Sequence, residues 1–388
     1  MKKIVLILSL STAILFGCVP PEKKVKSVSA PPPPEQAVEP VSSPPQTTEQ
    51  ERETVFYPMP PQQPRLQFLA SFSSEQPDEI RSFRLGDIQH FIQIQNSYDI
   101  ESVKGKIYLS DRISKKIIIV NLENKVIDHI AEHYDAAGIW VTEDDFKYAT
   151  DLQKKQILFF DTQNKLVRTF GEVGQFAKPV DVAVYGNNIY VCDLNRHQVI
   201  VIDKESGKTV QTLGSIGTEE GSLFKPTHVT VDREGNIYVN DAFNFRIQKF
   251  DPNGNFLKAF GYPGDTLGGF ARPKGLGVDR EGRLYVVDAA FENVQIFDEE
   301  TTDLLLFFGG FGLEPGKMYL PNGIHIDYNN MEYFRDYVDE DFKLEYLIYV
   351  SNRFGPTKIN VYGFGKWIGQ PLPGIEKKPL EDKGTSDS

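Results

Sequence analysis

Six times along this chain a short strand-forming run carries a tyrosine with Asp or Asn three residues behind it. The copies are Ile107-Tyr108-Leu109-Ser110-Asp111, Lys147-Tyr148-Ala149-Thr150-Asp151, Ile189-Tyr190-Val191-Cys192-Asp193, Ile237-Tyr238-Val239-Asn240-Asp241, Leu284-Tyr285-Val286-Val287-Asp288 and Ile348-Tyr349-Val350-Ser351-Asn352. Ten residues beyond the Asp comes a second mark, Asn121, Asp161, Asp203, Asp251 and Asp298, which closes the apolar runs 117–120, 157–160, 199–202, 247–250 and 294–297. The sixth copy slips by one residue and ends at Val361-Tyr362-Gly363. A register held through five copies restricts the fold to an array of one repeated supersecondary unit.

The unit is about 40 to 48 residues long and holds four short strand signals, the length of a propeller blade. In the fourth copy these are 228–231, 237–240, 247–250 and 256–260. Asp232-Arg233-Glu234-Gly235-Asn236 and Asp251-Pro252-Asn253-Gly254-Asn255 supply the turns between them. Val199-Ile200-Val201-Ile202 is apolar on both faces, as a strand sandwiched between neighbouring sheets must be; a sheet with one wet face would alternate. The expected fold is all-β, a six-bladed β-propeller.

Phe224-Lys225-Pro226-Thr227-His228-Val229, then Gly235-Asn236-Ile237-Tyr238-Val239-Asn240-Asp241, then Asn244-Phe245-Arg246-Ile247-Gln248-Lys249-Phe250-Asp251 resembles the NHL repeat. Copies three to five match closely and the others are degenerate. A ring left open would expose two unpaired strand edges. The last blade lacks a run like 256–260, whereas Arg65-Leu66-Gln67-Phe68-Leu69-Ala70-Ser71-Phe72 is similar to Lys165-Leu166-Val167-Arg168-Thr169-Phe170. The N-terminal run is therefore expected to become the outer strand of blade six, beside 359–362, giving a propeller over 65–367.

The chain begins with Lys2, Lys3 and an apolar run over 4–16, the layout of a secretory signal and too short for an ordinary membrane span. Leu15-Phe16-Gly17-Cys18 resembles a lipobox, which implies removal of 1–17, acylation of Cys18 and a lipid anchor in the cell envelope, at the outer membrane in a diderm organism. Residues 18–64, rich in Pro, Ser, Glu, Gln and Thr, bury too little surface to offset their ordering entropy and read as a disordered tether. Residues 368–388 read as a flexible tail, and a short helix is expected over 87–92. Cys192, the only other cysteine, reads as a buried and inert thiol.

A net charge of -12 argues against a nucleic-acid partner, which needs a basic surface to displace counterions. No serine-nucleophile elbow, phosphate loop, HExxH or CxxCH occurs. The aspartates closing the tyrosine runs read as turn-building carboxylates. The first residues of the innermost strands are Asp99, Gly138, Asp181, His228, Gly275 and Gly323, so Asp99, Asp181 and His228 ring one channel mouth. Some propeller lyases and lactonases place metal ligands there, and by that resemblance the three residues either hold a divalent cation or line a solvated mouth. An insertion over 328–346 in blade six, expected on the opposite face, carries Tyr333, Phe334, Tyr337 and Phe342; these aromatics either contact a partner or fold back over the blade. The expected function is a monomeric, non-enzymatic binding or scaffolding propeller with envelope proteins as partners. Lipoproteins of similar layout resemble accessory parts of envelope assemblies, including those built around multihaem cytochromes. A metal-dependent lyase or lactonase at the channel mouth is the alternative.

Overall fold

The computed structural model describes residues 54–59, 62–73 and 94–370. The signal segment with Cys18, most of the tether, the helix expected over 87–92 and nearly all of the C-terminal tail lie outside the described residues.

Six antiparallel sheets follow one another along the chain, each folded up and down from an inner to an outer strand. Blade one comprises Ser97–Val103, Lys106–Asp111, Lys116–Asn121 and Val126–Ile130; blade four comprises His228–Val231, Ile237–Asp241, Arg246–Phe250 and Phe256–Phe260. Each first strand touches the first strand of the next blade, and that of the sixth returns to that of the first, so the ring is closed. We call the face where inner strands begin the upper face. Antiparallel order places the loops between second and third strands and the blade-to-blade connections on it.

One apolar cluster fills each gap between neighbouring blades. This is why the strands are apolar on both sides: a blade has no wet face until its outer strand, where exposed residues appear, as in Leu166–Phe170. The repeated tyrosines are at the bottom of these gaps, with Tyr108, Tyr190, Tyr238, Tyr285 and Tyr349 fully buried. A buried phenol needs a hydrogen-bond partner, and for Tyr108, Tyr238 and Tyr285 a carboxylate in the turn after an inner strand supplies it. Tyr108 donates to Asp145 Oδ1 at 2.6 Å and Tyr285 to Asp279 Oδ2 at 3.1 Å.

The aspartates three residues after the tyrosines build backbone, as expected, and reach further than the adjoining turn. Asp193 accepts the amides of Asn195 and Arg196 in the following loop, and also those of Ala177 and Lys178 just ahead of the inner strand. Asp111, Asp241 and Asp288 likewise tie a loop to the connection entering their blade, whereas Asp151 accepts from Gln153, Lys154 and Gln156 of its own hairpin. Cys192 is wholly buried, and burial pushes its thiol pKa well up.

Blade six closes the ring as anticipated. Leu66–Ser73 pairs antiparallel with Thr357–Trp367, with Phe68 opposite Tyr362 and Phe72 opposite Ile359. Two details differ from expectation. The tether was read as running to residue 64, but Phe56–Tyr57 forms a fifth strand paired with Gln67 and Leu66, because its aromatic rings have apolar partners: Phe56 lies against Phe342 and Trp367. Tyr57 donates to the Gly316 carbonyl at 2.9 Å. The insertion was read as spanning 328–346, but the second strand runs from Phe342 to Asn352, so the irregular part ends at 341 and includes a 3-10 helix, Met331–Tyr337. Among the described residues no helix is long and apolar enough to cross a membrane.

Candidate channel site

The upper mouth is made by the first residues of the inner strands. Asp99 of blade one accepts the Ile139 amide of blade two at 2.9 Å, and Asp181 of blade three accepts the Val229 amide of blade four at 2.8 Å. Both carboxylates are therefore staples between neighbouring inner strands. The glycines allow the close approach: a Cβ on Gly323 would stand 2.8 Å from Asp99 Oδ1, and one on Gly275 would stand 2.5 Å from the Asn322 carbonyl. Burial raises the pKa of Asp99 to about 7. It raises that of Asp181 well above the carboxylate range, with the nearby Asp99 charge adding to the effect.

His228 does not join these carboxylates in a metal cage. Its ring stacks on Tyr98 from the opposite blade, centroids 6.0 Å apart, and its Nδ1 is 3.1 Å from Thr227 Oγ1. Burial, with the Lys274 charge, lowers its pKa to about 3, so the ring is neutral at pH 7. Among the described residues no group of three His, Cys, Asp or Glu side chains is placed to hold a metal ion. The divalent cation considered for Asp99, Asp181 and His228 therefore has no ligand cluster here, because two of the three carboxylate and imidazole groups are committed to backbone and the third to a ring stack.

Below the mouth the channel opens into a cavity of about 490 Å³ that reaches the lower face. Glu101, Trp140, Thr230 and His325 line its inner part, with Asp279 and Tyr328 toward the rim. His325 Nδ1 lies 3.0 Å from Glu101 Oε2. Burial opposes charge on this ring, but the Glu101 carboxylate and the charges of Asp327 and Asp99 hold its pKa up at about 9. Sequence reading noted His325 and missed Glu101. The signal was available, since residues two apart on a strand share a face and Glu101 follows Asp99 by two.

The insertion's aromatics are placed by packing. Phe334 is fully buried against Tyr349 and Tyr337, and Phe342 lies in the strand under Phe56. Both are thereby removed as partner contacts, because the sixth blade needs them to cover its lower end. Tyr333 and Tyr337 are half-buried, with Tyr333 over Gly105 of blade one. Asn330 fastens the loop there, accepting the Gly105 amide at 2.7 Å and donating to Ser102 at 2.7 Å.

Exposed aromatics collect instead on the upper face. Phe311 is 69%, Phe243 59% and Phe354 45% exposed, all in loops between second and third strands or between blades. His197 stacks on Phe224 at 5.2 Å and Phe224 meets Phe243 edge-on at 5.8 Å, while Phe311 lies 5.6 Å from Tyr319. Arg112 and Arg353 sit over the Tyr98 ring at the centre of this face.

The architecture and repeat chemistry define a six-bladed β-propeller of NHL-like repeats. No family model matches the chain. A probable peptidyl-alpha-hydroxyglycine alpha-amidating lyase of Caenorhabditis elegans is 32% identical over 140 residues, 33% of this chain and 40% of that protein. Protein brain tumor of Drosophila melanogaster is 36% identical over 99 residues, 24% of this chain and 10% of that one. The matched stretches thus cover well under half of either curated relative. A solved Bacteroides thetaiotaomicron protein of unknown function shares the fold, with a TM-score of 0.54 at 16% identity over 77% of this chain and 75% of that one.

Proposed function

We propose that the protein is a binding and scaffolding propeller of the cell envelope, held there by lipid on Cys18, with an envelope protein as its partner. The observation that carries the reading is the upper face, where Phe243, Phe311, Tyr319 and Phe354 stand exposed among Arg112, Arg196 and Arg353. Aromatic residues and arginine are the types enriched where protein partners bind tightly, since aromatic rings bring large contact area with few rotatable bonds and arginine brings a planar, multidentate donor. The blades beneath are rigid, so these loops are presented without an ordering penalty. The lipobox-like run Leu15-Phe16-Gly17-Cys18 supports the anchor, at an affinity set by the acyl chains rather than a spanning helix.

Photo-crosslinking from positions 243, 311 and 354 in intact cells tests this. The expected result is one recurrent envelope protein joined at all three positions, lost in a Phe311→Ser/Phe354→Ser variant that retains its melting temperature. No crosslink from these three positions, with an envelope protein captured instead from the same probe at position 333 on the lower face, would overturn the assignment of the upper face.

A further inference from the structure

At the centre of the upper face two cations stand beside each other without an acidic partner among the described residues. Lys274 is the second residue of the inner strand of blade five and is half-buried; Arg353, also half-buried, comes from the loop between the second and third strands of blade six. Arg112 next to them is paired with Asp135 at 3.0 Å, but the Arg353 guanidinium, set over the Tyr98 and Phe354 rings, has a single 3.4 Å hydrogen bond from Nη2 to Asn96 Oδ1, and its buried Nε has no partner. The carboxylate whose charge acts on Lys274, Asp288, is saturated by the amides of Ala271, Arg272, Ala290 and Phe291. Around the same mouth, His228 Nε2 and Ser97 Oγ are buried and unpartnered, in residues 2% and 0% exposed.

Buried polar atoms are ordinarily satisfied. Their joint failure around one opening, in a chain of net charge -12, points to a missing ligand of negative charge. We infer that the upper channel mouth is a binding site for a small oxyanion, a carboxylate or a phosphate, held by Lys274 and Arg353 with His228 and Ser97 available for its remaining hydrogen bonds. This inference rests on the mouth's own side chains and stands whether or not the surrounding face meets a protein.

The electrostatics agree with the geometry. Burial brings the Lys274 pKa down to about 8, and the charges of Arg353 and Arg272 push the same way against a smaller opposing effect of Asp288. His228 of the adjoining blade four is neutral, and of the two carboxylates at the mouth burial keeps Asp181 protonated while Asp99 ionises near 7, which weakens anion binding in the same direction. An anion between Lys274 and Arg353 would remove that repulsion and restore the lysine's proton, so affinity should fall as pH rises through about 8.

The test titrates inorganic phosphate and, separately, sodium acetate into the full chain at constant ionic strength, with binding followed by calorimetry and melting temperature. One saturable site is expected, weakened at least about tenfold by either Lys274→Met or Arg353→Gln and unchanged by Lys208→Met on the far face. Lys274→Met should also raise the melting temperature in anion-free buffer, which a purely structural lysine would not do. The tighter of the two probes distinguishes a phosphoryl from a carboxylate ligand. No saturable binding of either probe, or equal affinity in the two mouth variants and the wild type, overturns the site.

Discussion

His325 Nδ1 and Glu101 Oε2, 3.0 Å apart, join the inner strands of blades six and one inside the channel. The folded pKa of His325, about 9, stands above its ordinary 6.5. The stability this pair contributes is therefore complete below about pH 6.5 and is lost as pH rises through about 9. The shift corresponds to at most about 3 kcal/mol. Urea unfolding at pH 6, 7.5 and 9 should show the midpoint falling, and His325→Gln should flatten that fall. Asp99, raised to about 7, penalises the fold in a lower window as it ionises, so the difference between wild type and variant isolates the histidine. An equal slope in both proteins would refute the assignment.

Phe72 pairs with Ile359 on the strand that closes the ring and is fully buried between blades six and one. Phe72→Ala should cost about 3–5 kcal/mol, the range for truncating a core aromatic. Because a loosened closing strand bares the outer edge of Thr357–Trp367, the variant should also self-associate on warming. Equilibrium denaturation and light scattering measure both; a loss under about 1 kcal/mol would mean that the closing strand is dispensable.

Asp193 is fully buried and receives four backbone amides from two chain segments, whereas Asp203, at the outer turn of the same blade, is half-buried and accepts the Ser206 amide and hydroxyl and the Asn187 side chain. Asp193→Ala leaves buried donors unpaired and should destabilise by about 3 kcal/mol or more. Asp203→Ala should have a distinctly smaller effect. Comparable denaturation midpoints for the two variants would contradict the structural role given to the repeated aspartate.

Lipid attachment is checked through Cys18. Cells fed an alkyne-bearing palmitate analogue should label the wild-type protein, and Cys18→Ser should abolish the label and shift the protein from the membrane to the soluble fraction. Persistent labelling of Cys18→Ser would locate the lipid elsewhere. Cys192 offers no substitute site, since its side chain is wholly buried.

The repeat told how many blades there are because its spacing is a local property. A tyrosine, an aspartate three residues on and a second polar mark ten residues later describe one hairpin, and each hairpin needs only its own turns to form. Closure was legible for a related reason: a last blade short of one strand and a spare strand at the other end leave a single way to remove both edges. The tether's end was misplaced because composition alone describes Phe56-Tyr57; only the apolar surface of Phe342, Trp367 and Tyr362 makes a strand there favourable.

The sequence by itself determined the all-β repeat, the blade count, the closing strand and the use of the repeated aspartates, since all of these follow from periodicity and turn chemistry. Tertiary structure alone decided what the channel does. Asp99, Asp181 and His228 share a position in the repeat, yet two became backbone staples and the third stacked on Tyr98, because inner strands approach most closely at that level. It likewise buried Phe334 and Phe342 and brought Lys274, Arg353 and the Glu101–His325 pair together from blades distant in the chain. Such encounters depend on how a ring closes in space, and no spacing along a strand records them.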